Sequence, residues 1–170
     1  MKAIFLDRDG IINKDKGYLF KIEDFEFIDG IFEILKYFQE KEYLIFIITN
    51  QSGINRGIYD LKDFSILTKW MIKEFNIRQI NITSVYFCPH KHEEGCECRK
   101  PKAKMIFDAE KKYNLDLSNS ILIGDKKSDI EAGIKAGIKN LFLFSKSYMI
   151  IENKFNVKKI KKFKELEDLF

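Results

Sequence analysis

Two carboxylates two residues apart, Asp7 and Asp9 in FLDRDG, can divide the labour of a displacement reaction: one attacks while the other moves protons. A third carboxylate, Asp125 in LIGDKKSD, would make an oxygen-rich site suited to Mg²⁺, a hard cation. The hydroxyl of Thr49 in IITNQSG and the ammonium of Lys100 in RKPK suit the oxygens of a phosphoryl group. Transfer of such a group depends mainly on positioning and charge neutralisation. A separate grouping is CPHKHEEGCEC at 88–98, which holds all three cysteines and both histidines of the chain. Cys88, Cys96, Cys98 and one histidine form a four-ligand set of the kind that binds tetrahedral Zn²⁺. With four protein ligands no position remains for water, so such an ion would be structural. His90 and His92 compete for the fourth place. Taken alone, a D-x-D is a solvated turn and a cysteine is an inert thiol; the weight comes from the other groups that must meet them.

These groups lie far apart in the chain and need a scaffold. Apolar runs at 2–7, 43–49, 83–87, 120–124 and 140–144 read as buried strands. Between them, 30–41, 60–77, 103–114 and 128–137 read as helices. Ile31, Ile34, Leu35 and Phe38 form the apolar face of the first, and Phe64, Leu67, Met71 and Phe75 that of the second. Strands apolar on both faces, alternating with helices, predict an α/β fold: a Rossmann-like parallel sheet covered on both sides. In such sheets the working residues stand beyond the carboxyl ends of the strands. Asp7 and Asp9, Thr49 to Ser52, and Asp125 to Asp129 lie at strand ends, and the third strand opens into the loop that delivers Arg99 and Lys100.

At 170 residues, 45% hydrophobic with 16 Phe and 7 Tyr, the chain suits one domain over 1–170 with a full core. Met1-Lys2 runs straight into AIFLD, without a secretory pattern. No apolar run approaches the ~18 residues of a membrane span. Three cysteines do not make a disulfide framework. A cytoplasmic protein is expected. The net charge of +4 permits an anionic small-molecule substrate without demanding nucleic acid. The basic run KKIKKFK at 158–164 reads as the solvated face of a last short helix. No apolar stripe is left over once the core is assigned, so a monomer is expected.

FLDRDG, IITNQSG, RKPK and LIGDKKSD, in that order over about residues 1–145, resemble the four motifs of the haloacid dehalogenase-like phosphatases. TNQSG together with CPH…CxCRKP resembles the branch that contains the heptose bisphosphate phosphatases and the histidinol-phosphate phosphatases. GYLFKIEDFEFIDG and TNQSGINRG lean towards the heptose side. Ile11 departs from the Thr or Val more usual there, at a position that serves packing. The resemblance implies Mg²⁺-dependent hydrolysis of the C7 phosphate of D-glycero-D-manno-heptose 1,7-bisphosphate through an aspartyl-phosphate. Histidinol-phosphate hydrolysis is the alternative. A DNA 3′-phosphatase ranks lower for want of a basic, aromatic-lined track, and a dead zinc-stabilised binding module is opposed by the intact acids.

The roles implied are as follows. Asp7 is the nucleophile, and Asp9 the acid that then acts as base. Asp7, the backbone carbonyl of Asp9, and Asp125 hold Mg²⁺. Thr49 and Lys100 bind the transferring phosphoryl. Asn50, Gln51, Ser52, Arg99 and Lys126 contact substrate, and Asp15, Lys16, Gly17 and Tyr18 form the other wall of the entrance. Asp129 steadies the metal site or caps a helix. Cys88, His90, Cys96 and Cys98 hold Zn²⁺, and His92 is solvated. About 40 residues between the first two motifs leave no room for a separate cap domain.

Overall fold

The computed structural model describes residues 1–144 and 156–170. Strands β1 (Ala3–Leu6), β2 (Leu44–Asn50), β3 (Ile82–Cys88), β4 (Ile121–Gly124), β5 (Asn140–Phe144) and β6 (Val157–Ile160) form one parallel sheet in the order β3-β2-β1-β4-β5-β6. Helices α1 (Ile31–Glu40), α2 (Leu61–Ile77), α3 (Lys104–Tyr113) and α4 (Lys127–Lys135) are the crossovers. The order reverses at β1, so the loops after β1 and β4 part from each other and open a crevice.

Side chains alternate across the pleat and feed two cores. Ile4, Leu6, Ile45 and Ile47 face α1 and α2; Phe5, Phe46 and Ile48 face α3 and α4. Ile31, Ile34, Leu35 and Phe38 of α1 are buried, as are Phe64, Leu67, Met71 and Phe75 of α2. Both stripes are the ones the 3.6-residue period predicts. Helix α2 starts where Asp60 and Asp63 each accept the other's backbone N–H, at 2.8 and 3.1 Å.

Segment 158–164 differs from expectation. It holds β6 and the start of a 3₁₀ helix, Phe163–Leu169, not the face of one helix. Ile160, Phe163 and Leu166 are buried, whereas Lys158 and Lys159 are exposed on the outermost strand. Lysines on an edge strand deter pairing with another chain, and they also hide the strand from a search for apolar runs.

Between β1 and α1, residues 10–30 form a compact loop. Lys14 N–H donates to Glu26 O and Ile28 N–H to Ile12 O, both at 2.9 Å, which folds the loop back on itself. Only this loop, a 3₁₀ turn at Ile22–Asp24, and α1 separate β1 from β2. Among the described residues no inserted domain covers the carboxyl edge of the sheet.

Candidate active site and metal sites

Strand register brings the reactive groups together. Leu6 is level with Ile47 on β2 and with Ile123 on β4. Asp7 therefore leaves β1 beside Ile48 and Gly124, with Thr49 and Asp125 one step further out. Lys100 arrives from the loop after β3. Asn50 clips it there: Asn50 Oδ1 accepts from Lys100 N–H at 3.0 Å and Asn50 Nδ2 donates to Lys100 O at 3.1 Å.

Lys100, Asp7 and Asp129 are all buried. The Lys100 ammonium lies 3.0 Å from Asp7 Oδ1 and 2.7 Å from Asp129 Oδ1, and donates to Ile48 O at 2.7 Å. Burial works against this charge, but Asp129 and Asp7 more than offset it and hold the ammonium above its ordinary range. Burial also lifts the Asp7 carboxyl; Lys100 opposes that lift, and Asp129 and Asp9 add to it. Asp129 has two tasks, because its Oδ2 also accepts from Lys126 N–H at 3.0 Å at the start of α4.

Carboxylate oxygens of Asp7, Asp125 and Asp129 lie within 4.8 Å of one another. Burial pushes Asp125 up to about 7, with Lys126 opposing. Asp125 Oδ1 is buried with no hydrogen-bond partner among the described residues. Crowded acids and an orphaned oxygen fit Mg²⁺, which takes oxygen ligands. Residue 10 is glycine for two reasons: its φ is 95°, and a Cβ would collide with the Asp125 carboxylate.

A cavity of about 260 Å³ opens over Asp7 and Lys100. Of the expected substrate contacts, Asp15, Gly17, Tyr18, Asn50, Gln51, Ser52, Arg99 and Lys126 line it. Lys16 does not: its ammonium pairs with Glu26 at 2.6 Å outside the cavity. Thr49 is fully buried, and its Oγ1 accepts from the lining residue Gln51 at 2.8 Å. Across the mouth, Lys126 pairs with Asp15 at 2.9 Å. Burial pulls the Lys126 ammonium down, but Asp125 and Asp15 outweigh it and raise it well above the usual lysine range.

Three buried or half-buried polar groups around Asp9 went unread in the sequence. Arg8 Nη2 and Asn13 Nδ2 each donate to Asp9 Oδ1 at 3.0 Å, and Tyr59 donates to Gln51. Arg8 stands between two acids at a strand end, which reads as solvent-facing; the loop over 10–30 buries it, and its Nη2 donates to Leu19 O at 2.9 Å. Tyr59 in GIYD carries no flanking motif. The one available signal was Gly53, which follows NQS and leaves space for something large.

The second cluster is the loop after β3. Cys88 Sγ lies 3.4 Å from Cys96 Sγ and 2.9 Å from Cys98 Sγ, and His90 Nδ1 lies 3.2 Å from Cys98 Sγ. All four ligand atoms fall within 4.8 Å of one another. His92 is exposed, in a 3₁₀ turn at His92–Glu94, outside the group. The three cysteines are unbridged. Three sulfurs and an imidazole nitrogen turned to one centre fit a closed tetrahedral metal site. Arg99 Nη1 donates to His90 O at 3.1 Å, which ties the cavity's cation to this loop.

Known proteins resemble this chain in sequence and in fold. The chain is 57% identical to the D-glycero-α-D-manno-heptose-1,7-bisphosphate 7-phosphatase of Campylobacter jejuni, over 84% of this chain and 81% of that protein. It is 47% identical to the D-glycero-β-D-manno-heptose-1,7-bisphosphate 7-phosphatase of Helicobacter pylori, over 99% of this chain and 96% of that one. Its fold matches the crystal structure of the D,D-heptose 1,7-bisphosphate phosphatase from B. bronchiseptica complexed with magnesium and phosphate, with a TM-score of 0.88 at 24% identity over the whole of both chains. Residues 9–143 match the family model of the haloacid dehalogenase-like hydrolases. With a match over most of its length and relatives this similar, the chain belongs to the haloacid dehalogenase-like hydrolase family.

Proposed function

We propose that this protein is a phosphatase that removes the C7 phosphate of D-glycero-D-manno-heptose 1,7-bisphosphate and leaves the 1-phosphate. The observation that carries the reading is a cation at two levels of the cavity: buried Lys100 beside Asp7, and half-buried Arg99 further out, near exposed Lys126 with its partner Asp15. That spacing suits a substrate with a reacting phosphate and a second, distal one. The names of the two sequence relatives support the same substrate.

In the proposed reaction an Asp7 oxygen attacks phosphorus while the bond to the sugar oxygen breaks. Asp9 gives that oxygen its proton. Asp9 then takes a proton from water as the water oxygen bonds to phosphorus and the Asp7–phosphorus bond breaks, which returns both acids to their starting states. Lys100 and the Thr49 hydroxyl hold the phosphoryl oxygens. Asp7, the carbonyl of Asp9, and Asp125 would hold Mg²⁺, which when bound neutralises phosphoryl charge. Cys88, His90, Cys96 and Cys98 would hold a structural Zn²⁺ that orders the loop carrying Arg99 and Lys100. One chain supplies every group named, so the monomer is the proposed working unit.

The test measures kcat/KM on the heptose bisphosphate and on histidinol phosphate. The bisphosphate is expected to be the better substrate, since Arg99 and Lys126 repel the cationic end of histidinol phosphate. Arg99→Ala is expected to cost about 1.5–3 kcal/mol on the bisphosphate and far less on a monophosphate ester. Preference for histidinol phosphate, or equal losses on both esters, contradicts the reading.

A further inference from the structure

The Asp9 carboxylate is held unequally at its two oxygens. Oδ1 accepts from Arg8 Nε at 3.2 Å, Arg8 Nη2 at 3.0 Å and Asn13 Nδ2 at 3.0 Å. Oδ2 accepts from Gln51 Nε2 at 2.9 Å and, among the described residues, from nothing else. Three N–H donors occupy Oδ1, so a proton given or collected by this carboxylate travels through Oδ2.

Gln51 is itself held from behind. Its amide nitrogen also donates to Thr49 Oγ1 at 2.8 Å, and its Oε1 accepts from the Tyr59 hydroxyl at 2.5 Å. An amide turned over would set its oxygen against the Asp9 carboxylate and leave the phenol with no acceptor. The phenol therefore selects the orientation in which Gln51 faces Asp9 with N–H. Tyr59 is only 5% exposed, and its ring stacks on Phe20 at 5.4 Å. It reaches Gln51 because residue 53 is glycine; a Cβ there would collide with the ring. Burial pushes the phenol up to about 12, so it keeps its proton through the neutral range.

We propose that Tyr59, acting through Gln51, is a positioning residue for Oδ2 of Asp9, and thereby governs how well the protein expels a leaving group that needs a proton. The proposal rests on Asp9 as the acid and base. In the first half-reaction Oδ2 carries the proton, and the departing alkoxide takes it as the phosphorus–oxygen bond breaks and the Asp7–phosphorus bond forms.

The test compares that half-reaction for two leaving groups. Tyr59→Phe keeps the stacked ring and removes the hydroxyl alone. Single-turnover phosphorylation by the heptose bisphosphate, a primary alkyl ester, is expected to slow about tenfold with KM within about twofold. The burst of p-nitrophenolate from p-nitrophenyl phosphate, whose leaving group needs no proton, is expected to stay within about twofold. Gln51→Leu should repeat the pattern by removing the brace itself. Asp9→Asn is the reference and should show the same selectivity more strongly. If Tyr59→Phe matches the parent on the alkyl ester, or slows both esters equally, the proposal is overturned while Asp9 keeps its role. If Asp9→Asn does not discriminate between the esters, both readings fall.

Discussion

Lys100 carries its charge where charge is costly; Asp7 and Asp129 form ion pairs with it, and Ile48 O accepts one of its N–H bonds. Removing the Asp7 carboxylate leaves Asp129 and Ile48 O in place, so Asp7→Asn is expected to fold normally by circular dichroism. It should nonetheless lose several orders of magnitude in turnover, since the attacking anion is gone; near-normal turnover would remove Asp7 from its role. Folding raises Asp125 to about 7 and raises Asp7 as well, mainly by burial. A carboxyl raised above its unfolded value stabilises the fold fully below about pH 4, and that contribution is lost as pH rises through about 7. Metal-free protein should therefore lose thermal stability over that window. A divalent cation replaces the protons, so the rise in Tm on adding Mg²⁺ should be larger at about pH 7.5 than at about pH 5.5. A rise independent of pH would contradict the proposed ligands. At this scale Asp7, Asp9, Thr49 and Asp125 were legible because each lies in a motif at or just beyond a strand end, and Lys100 because it lies in a motif of the loop that leaves β3. Arg8, Asn13 and Tyr59 were not, because their partners are defined only by how loop 10–30 and the start of α2 fold over Asp9.

The loop after β3 shows how an element turns ligand chemistry into positioning. Its four ligand atoms converge, Arg99 is tied to His90 O, and Lys100 is clipped by Asn50 from β2. Glu93, Glu94, Gly95 and Glu97 are exposed, so the loop has little core of its own to hold it. Metal analysis should find one zinc per chain. Cys98→Ser should lower that content, expose the loop to protease, and reduce turnover by up to about 10²-fold through displacement of Lys100 and Arg99. His92→Ala should retain zinc; loss of zinc in that variant but not in His90→Ala would reassign the fourth ligand. Cys98→Ser should leave the sheet intact, since Cys98 only packs against the margin of the core on the α3 and α4 face, which is built mainly from the strands and those helices. Element boundaries were legible wherever burial imposes a period: the stripes of α1 and α2 follow directly from 3.6-residue spacing. Strand β6 obeys no such rule. At an edge it buries little beyond Ile160, and its lysines serve solubility, so the pattern that marks β1 to β5 is missing.

At the scale of the whole molecule, a single parallel sheet gathers every charged group of the cavity at one edge. The chain as a whole is positive by only +4, with 30 basic against 26 acidic residues, so its overall field is weak. The charges of the cavity are local. At the mouth Lys126 is paired with Asp15, which offsets its charge, whereas Arg99 has no acidic partner among the described residues. At the floor the carboxylates oppose an approaching phosphate until a cation offsets them. A substrate with two phosphates should therefore be drawn in by its distal end as well as its reacting end. Screening acts over about 10 Å at 0.1 M salt. Raising KCl from about 20 to about 200 mM should lower kcat/KM for the heptose bisphosphate roughly three- to tenfold, with kcat within about twofold, because capture is screened and the buried chemistry is not. p-Nitrophenyl phosphate, which lacks the distal charge, should show a distinctly shallower dependence. Arg99→Ala should bring the bisphosphate down to that shallower slope. If the two esters respond to salt alike in the parent protein, the mouth cations do not recognise the second phosphate, and the proposed substrate loses its physical basis.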